Sequence, residues 1–278
     1  MEKIKVKKSH FIMAGAAVAA AALPFVLLAP GRAGRSRKAP FMGLNCAHRG
    51  LHSPDRSVPE NSLEAFRLAA ELGYGIELDV QLSKDGQVVV FHDDTLNRVC
   101  GVDSRVDELD YDELKKLSLC GTEQTIPLFT EVLSLVHGRS ALIVELKGGR
   151  RNKELCLKTR DILDAYDGDF CIESFHPGIV RWFRKNAPDY LRGQLAMPME
   201  DYKKGLNPVL KYALSHGLSN LFTRPHFIAY KIGPRPLGIR IAELLGAMRV
   251  GWTSKNASSE IGRDCVIFEH YTPWVRYK

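Results

Sequence analysis

Short apolar runs alternate with amphipathic stretches along most of the chain. The runs near 44–48, 75–80, 88–92, 141–145, 170–174, 192–196, 219–223, 249–253 and 265–268 have the length and composition of strands. Apolar residues recur at helical spacing near 62–72, 112–117, 129–136, 152–166, 178–186 and 205–216. Strands that alternate with helices are typical of a parallel sheet with both faces covered. The sequence therefore predicts an α/β domain.

The size of this domain, residues 41–278, is typical of a TIM (β/α)8 barrel. Nine candidate strands exceed eight barrel positions, so one strand must be peripheral. Lys84-Asp85-Gly86 predicts a tight turn after the second strand, which leaves no room for a helix and would bring His92 back to face Asp79. Asn61 is expected to cap the first helix, with Glu64 completing a capping box.

The second strand carries two acids on one face. Glu77 and Asp79 alternate with Ile76, Leu78 and Val80, so the carboxylates point to the side opposite the apolar residues. Burying two like charges is costly without a cation, which predicts Mg or Ca between them. A half-exposed edge strand with its acids in water explains the same alternation.

An uncharged segment near the N-terminus separates two basic clusters. Residues 11–30 carry no charge and are long enough to span a bilayer. We interpret residues 1–10 as a basic N-terminal segment, 11–30 as a transmembrane anchor and 31–40 as a flexible basic linker that could touch anionic lipid. A cleaved signal peptide is the alternative, which would make the protein secreted. Four Lys or Arg residues flank each end of the segment, so the positive-inside rule hardly discriminates between orientations. The early lysine cluster mildly favours a single-pass protein with its catalytic domain outside the cytoplasm.

The net charge of +7 comes from this N-terminal region. Eight of the 39 Lys and Arg residues and one of the 32 acids precede residue 41, which leaves 31 of each in the domain. A neutral domain lacks the electrostatic attraction that nucleic-acid binding requires. The six cysteines form no CxxC pair and no zinc-like spacing.

Charged motifs follow one another along the chain, on the predicted strands and at the start of the first helix. They are Ala47-His48-Arg49-Gly50, Pro59-Glu60-Asn61-Ser62, Glu77-Leu78-Asp79-Val80, Val90-Phe91-His92-Asp93 and Glu145-Leu146-Lys147, followed by Ser174-Phe175. This ordered set resembles the glycerophosphodiester phosphodiesterase family over about residues 44–175. The resemblance implies a TIM barrel of the PLC-like phosphodiesterase type, with its site at the C-terminal ends of the strands.

The resemblance also implies a role for each charged residue. Glu77, Asp79 and Glu145 would hold a divalent cation, Mg or Ca, through oxygen ligands. His48 and His92 would share the proton transfers, since histidine titrates near neutrality, although their separate roles stay open. The predicted substrate-binding residues are Arg49, Lys147, Glu60 and Trp252. For Glu60, a helix-start acid is an equally simple explanation.

The C-terminal part departs from the family pattern. Trp252-Thr253-Ser254-Lys255 stands where the family has Trp-Thr-Val-Asn, and Glu269-His270 replaces Thr-Asp after the last strand. The resemblance implies hydrolysis of glycerophosphodiesters to sn-glycerol 3-phosphate and an alcohol, by water or by a neighbouring substrate hydroxyl. Two alternatives are a lysophospholipase D acting on membrane lysophospholipids and a catalytically weak, membrane-tethered barrel that binds lipid headgroups.

Overall fold

The computed structural model describes residues 22–277, in which nine strands alternate with helices. The strands are β1 Leu44–Ala47, β2 Gly75–Leu82, β3 Val88–Val90, β4 Leu142–Leu146, β5 Phe170–Ser174, β6 Arg192–Ala196, β7 Phe227–Lys231, β8 Met248–Ser254 and β9 Cys265–Phe268. The helices are α1 (22–28), α2 Arg35–Lys38, α3 Leu63–Glu71, α4 Asn97–Cys100, α5 Tyr111–Leu114, α6 Phe129–Val136, α7 Asn152–Leu163, α8 Pro177–Asn186, α9 Pro208–Ser215, α10 Asn220–Thr223 and α11 Leu237–Leu244.

Eight of these strands form a closed parallel barrel. The order is β1-β9-β8-β7-β6-β5-β4-β2, and pairing of β1 with β2 closes the ring. The ninth strand, β3, pairs antiparallel with the last residues of β2, from Val80 opposite Val90 to Leu82 opposite Val88. The structure therefore confirms the predicted TIM barrel and identifies β3 as the peripheral strand.

One predicted strand is wrong. Residues 219–223 include the helix α10, and the barrel strand of this region is β7, which begins four residues later. An apolar run as short as Leu221-Phe222 has no periodicity that separates a strand from a helix. The helices α4, α10 and α11 are also absent from the sequence prediction.

The first long helix, α3, begins differently from the prediction. Ser62 is its N-cap, because the Ser62 hydroxyl accepts the backbone N–H of Ala65 at 3.1 Å. Asn61 instead has a left-handed backbone, with φ of 56°, and its side-chain amide donates to Asp79. Asn61, which the sequence predicts as a helix cap, therefore contacts Asp79, one of the predicted metal ligands.

Side chains along each strand alternate between the outside of the barrel and its lumen. The outside is apolar, and the lumen is apolar in its lower part and polar in its upper part. Ile76, Leu78 and Val80 point outward and pack with α3 residues such as Phe66. The lower part of the lumen is apolar, and Phe41 fills its bottom together with Leu44 and neighbouring strand residues. The polar side chains of the lumen lie above this plug, at the C-terminal ends of the strands.

The N-terminal predictions lie partly outside the described residues. The basic segment 1–10 and residues 11–21 of the expected anchor are not described. From residue 22 to residue 277, no helix is both long and apolar enough to cross a membrane. The sequence predicts a flexible linker over 31–40, but this segment is folded against the barrel: Gly31 donates its N–H to the Pro225 carbonyl and Lys38 donates to the Gly246 carbonyl.

Candidate active site

Three buried carboxylates form the centre of the candidate site. Glu77 and Asp79 point into the lumen from β2, and Glu145 points there from β4, where Asp79 and Glu145 are paired in register. One ligand oxygen from each lies within 4.8 Å of the others. The structure therefore brings together the three predicted metal ligands in buried positions, which excludes the solvent-facing edge strand.

The electrostatics of these carboxylates differ from one to the next. Burial, followed by repulsion from Asp79 and Glu145, raises the pKa of Glu77 well above its ordinary value. Burial also raises the pKa of Glu145, against the opposing effect of Lys147. Burial acts in the same direction on Asp79, but Lys147, His92 and Arg49 outweigh it and lower the pKa of Asp79.

The charges of this group fit a bound cation. Two cations face the three acids: the Lys147 ammonium lies 2.9 Å from Glu145 and 3.3 Å from Asp79, and Arg49 Nε lies 3.5 Å from Asp79. One buried negative charge is left without a counterion if all three acids are ionised, and burying such a charge is costly. Clustered carboxylate oxygens are the ligands of hard divalent cations, so this donor set fits one.

His48 stands beside the carboxylates and is held by an acid from the last strand. Its Nδ1 lies 2.9 Å from Glu269 Oε2, and its Nε2 lies 4.0 Å from Glu77 Oε2. Because an ionised carboxylate only accepts, Nδ1 carries the proton and Nε2 is free for proton transfer. Burial lowers the pKa of His48, and the hydrogen bond to Glu269 opposes this shift.

His92 has the same arrangement on the other side of the site. It follows β3, and the preceding Phe91 donates its N–H to the Asp79 carbonyl at 3.0 Å, so the hairpin returns to Asp79 as predicted. His92 Nδ1 lies 2.6 Å from Asp93 Oδ1, which leaves Nε2 free. Both predicted histidines therefore have Nδ1 paired with a carboxylate.

Arg49 links the first strand to the carboxylates. Its backbone is left-handed, with φ of 54°, and its N–H donates to Glu77 Oε2 at 2.9 Å. Its Nη1 donates to Glu60 Oε1 at 2.7 Å, so Glu60 contacts the guanidinium that we expected to bind substrate. Burial raises the pKa of Glu60, but the hydrogen bonds from Arg98 and Arg49 prevail and lower it to about 2. Glu60 is therefore an ionised partner of Arg49 and more than a helix-start acid.

The predicted Trp252 lies on the lumen side of β8. Its Nε1 donates to the Ala229 carbonyl at 2.9 Å, and its ring meets Phe175 edge to face at 5.5 Å. The two rings form an apolar wall of the lumen.

Besides Asn61, sequence reasoning gives no role in this site to four residues: Glu269, Asp93, Arg98 and Glu173. The sequence marks Glu269 only as a departure from the family pattern, and its position directly after β9 is the available signal. Asp93 stands in the motif beside His92, which is the available signal. Arg98 gives none, since its ion pair with Asp93, at 2.6 Å, depends on the fold of the 91–128 segment. Glu173 on β5 is a fourth buried acid, paired in register with Glu145, and burial raises its pKa well above the ordinary value.

Comparisons with known proteins agree on one family. The model of the glycerophosphoryl diester phosphodiesterase family matches residues 48–259. A glycerophosphodiester phosphodiesterase from Bacillus altitudinis is 38% identical over 154 residues, which are 51% of this chain and 62% of that protein. Human lysophospholipase D GDPD1 is 34% identical over 144 residues, which are 47% of this chain and 44% of the human protein. The chain thus spans less than two thirds of the length of either relative, 62% and 44%.

Solved structures share the fold. The phosphodiesterase of Oleispira antarctica, solved with the product sn-glycerol-3-phosphate, superposes with a TM-score of 0.69 at 23% identity and covers 84% of this chain and 94% of that chain. A glycerophosphodiester phosphodiesterase from Parabacteroides distasonis gives 0.63 at 22% identity, with 82% and 93% covered. At these identities the likeness shows the barrel fold, and the family model covers most of the chain. The chain belongs to the glycerophosphoryl diester phosphodiesterase family.

Proposed function

We propose that this protein hydrolyses glycerophosphodiesters to sn-glycerol 3-phosphate and an alcohol. The observation that carries this proposal is the pair of histidines, His48 and His92, placed around three buried carboxylates with Nδ1 bound and Nε2 free. One histidine begins neutral and its free Nε2 takes the proton of the attacking hydroxyl, while the other begins as an imidazolium and gives its Nε2 proton to the leaving alkoxide, so that the two protonation states are exchanged in one turnover. The curated relatives that are named glycerophosphodiester phosphodiesterases support the same reaction.

Glu77, Asp79 and Glu145 would hold a divalent cation, Mg or Ca, which when bound neutralises charge on the phosphate. Arg49 faces the same position with a planar guanidinium that Glu60 orients, and it offers its remaining N–H groups to a phosphate oxygen. Lys147 adds a point charge beside Asp79 and Glu145. The Trp252 and Phe175 wall would bound the substrate on its apolar side.

The decisive experiment is a substrate panel with purified full-length protein. We expect release of glycerol 3-phosphate from glycerophosphocholine, loss of that release in EDTA and recovery on adding Mg or Ca. Which of the two ions restores the higher rate identifies the cation. Undiminished turnover in EDTA would contradict the metal-dependent reaction.

A lysophospholipase D activity is the second candidate, because the human relative of that name matches about half of this chain. Rates on lysophosphatidylcholine and glycerophosphocholine, measured side by side, separate the two. A third candidate is a barrel that only binds lipid headgroups, which would keep its biological role after His92→Ala. Complete loss of that role in a variant that folds normally would exclude this candidate.

The N-terminal segment is proposed to anchor the barrel to a membrane. Residues 11–30 are uncharged, and the early lysines favour an N-terminus inside and a catalytic domain outside the cytoplasm. Protease protection in intact cells tests this topology, and secretion after cleavage is the alternative that the same experiment detects.

A further inference from the structure

The base of the barrel, the end opposite the candidate active site, exposes apolar side chains. It carries Met42, Leu72, Leu218, Phe222, Leu244 and Ile261, all on the connections that lead into strands β1, β2, β7, β8 and β9. Leu244 is 87% exposed and Ile261 is 80% exposed. The opposite mouth exposes fewer large apolar side chains, chiefly Val209 and Leu237 in the first turns of α9 and α11. Clustered exposed apolar residues mark interaction surfaces.

The helix α1 extends this apolar surface and is fixed to the base. Leu23, Phe25 and Val26 are about half exposed, whereas Leu28 is buried. Arg224 donates to the carbonyls of Val26 at 2.7 Å and Ala29 at 2.8 Å, and the buried amide of Asn220 donates to the Leu28 carbonyl at 3.0 Å. Cleavage after this segment would leave that buried donor unpaired, which is costly.

Basic side chains accompany the apolar ones. Arg32, Arg35 and Arg240 are exposed on or beside the base. A cavity of about 550 Å³ opens between α2 and the end of α11, and Lys38, Arg240 and Leu244 line it. The acids of its lining, Glu243 and Asp264, pair with Arg235 and Arg249, so Lys38 and Arg240 leave the cavity basic. Apolar side chains with a basic surround match the interface and anionic headgroups of a lipid bilayer.

We propose that the base of the barrel lies on an anionic membrane surface and that the mouth of the active site faces away from it into water. The uncharged stretch 11–30 enters the described structure through α1, directly at this base, so an anchor in that stretch holds the apolar surface against the bilayer. The orientation rests on the proposed anchor. If the mouth faces water, the substrates are water-soluble diesters and not lysophospholipids within the same bilayer. This consequence rests also on the proposed reaction.

Four exposed aliphatic positions provide a matched test of orientation. Leu244 ends α11 at the base and Leu237 begins the same helix at the mouth, with exposures of 87% and 68%. Ile261 at the base and Val209 at the mouth end of α9 are 80% and 76% exposed. Each is changed to Cys in the full chain, with the half-buried Cys100 and Cys120 changed to Ser, and labelled with an environment-sensitive fluorophore.

The labelled proteins are reconstituted into phosphatidylcholine and phosphatidylglycerol vesicles with a spin-labelled quencher lipid. We expect quenching at positions 244 and 261 to be at least threefold stronger than at 237 and 209. Arg35→Gln with Arg240→Gln should reduce this contrast, and the exposed mouth-side Lys116→Gln should not. Equal or reversed quenching overturns the orientation. Base labels shielded from both the lipid quencher and aqueous iodide also overturn it, because residues 1–21 or a second copy then cover the base.

Hydrogen exchange of the unlabelled protein gives a second readout that needs no substitution. On vesicles, residues 218–224 and 244–247 should exchange at least threefold more slowly than in detergent, with no change at 52–58; protection of the mouth instead contradicts the proposal. Turnover of glycerophosphocholine and of lysophosphatidylcholine in the same vesicles tests the substrate consequence. Inactivity on both with the expected quenching would contradict the proposed reaction alone, whereas faster turnover of the lysolipid would contradict the outward-facing mouth.

Discussion

Glu269 fixes the tautomer of His48 through a 2.9 Å contact between its Oε2 and His48 Nδ1. Changing Glu269 to Gln keeps an acceptor but removes the charge that stabilises the imidazolium. We expect kcat for glycerophosphocholine to fall by about 10²-fold, the lower end of what general acid–base catalysis contributes. Since Glu269 raises the pKa of His48 against burial, the limb of the pH–rate profile that reports His48 should also move to lower pH.

Lys255→Ala is the control for this variant, because Lys255 pairs at 3.1 Å with the other oxygen of Glu269 and does not contact His48. It should change kcat by less than about threefold, as an exposed ion pair contributes little. An unshifted pH–rate profile in the Glu269→Gln protein would show that Glu269 acts only as a packing residue.

Arg98 connects the two sides of the site. Its Nε donates to Asp93 at 2.6 Å, and its two Nη atoms donate to Glu60 at 2.7 Å each, so it supports the partners of both His92 and Arg49. Lys at this position keeps the charge but cannot bind both acids. We expect Arg98→Lys to lower kcat by about 10-fold and to change the free energy of unfolding by less than about 1 kcal/mol, since Arg98 is partly exposed.

Arg105→Lys tests whether any arginine in the same segment has this effect, since Arg105 pairs at 2.8 Å with Asp107 and does not contact the site residues. Its kcat should stay near that of the unmodified protein. Equal losses in the two variants, measured with glycerophosphocholine, would refute the connecting role of Arg98.

The sequence predicts those parts of the site that lie on regular strands. Alternation along β2 and β4 places Glu77, Asp79 and Glu145 in the lumen, because side chains on parallel strands in register must converge. The sequence around Asn61 predicts a helix cap, because only neighbouring residues enter such a prediction. The hydrogen bond from its side-chain amide to Asp79, eighteen residues away, depends on the fold. Contacts such as Arg98 with Glu60 cross unrelated elements, so no local pattern encodes them.

Glu77→Gln should separate stability from metal binding. Because burial and the neighbouring acids raise the pKa of Glu77, its ionised form is unfavourable without a cation, and the uncharged amide should leave the melting temperature of the metal-free protein unchanged or higher. At a metal concentration 100-fold above Kd, the unmodified protein should gain about 3 kcal/mol of stability. The variant should gain less than about 1 kcal/mol at the same concentration, measured by thermal unfolding in Mg or Ca.

Glu173→Gln is the matched control, because Glu173 is also a buried lumen acid but is not one of the three clustered carboxylates. It should keep most of the metal-dependent gain. A full gain in the Glu77→Gln protein would exclude Glu77 as a ligand.

His226 should make the fold sensitive to acid. It is buried at the base, its Nδ1 accepts the Arg192 backbone N–H at 3.3 Å, and burial followed by the Arg192 charge lowers the pKa of His226 to about 3. The unfolded chain binds this proton near pH 6.5, so the contribution of His226 to stability is complete above pH 6.5 and falls as pH drops from there toward 3. At pH 4.5 the loss is about 3 kcal/mol.

His226→Gln keeps an acceptor for the Arg192 N–H and removes the titration. Its free energy of unfolding should be lower than that of the unmodified protein at pH 7, and the difference should shrink by about 3 kcal/mol at pH 4.5. The exposed His137→Gln is the control and should follow the unmodified protein at both pH values. Denaturant unfolding at the two pH values measures both differences. Parallel pH dependence in the His226→Gln and unmodified proteins would contradict the prediction. It would show that solvent reaches His226 in the fold and that its pKa there is ordinary.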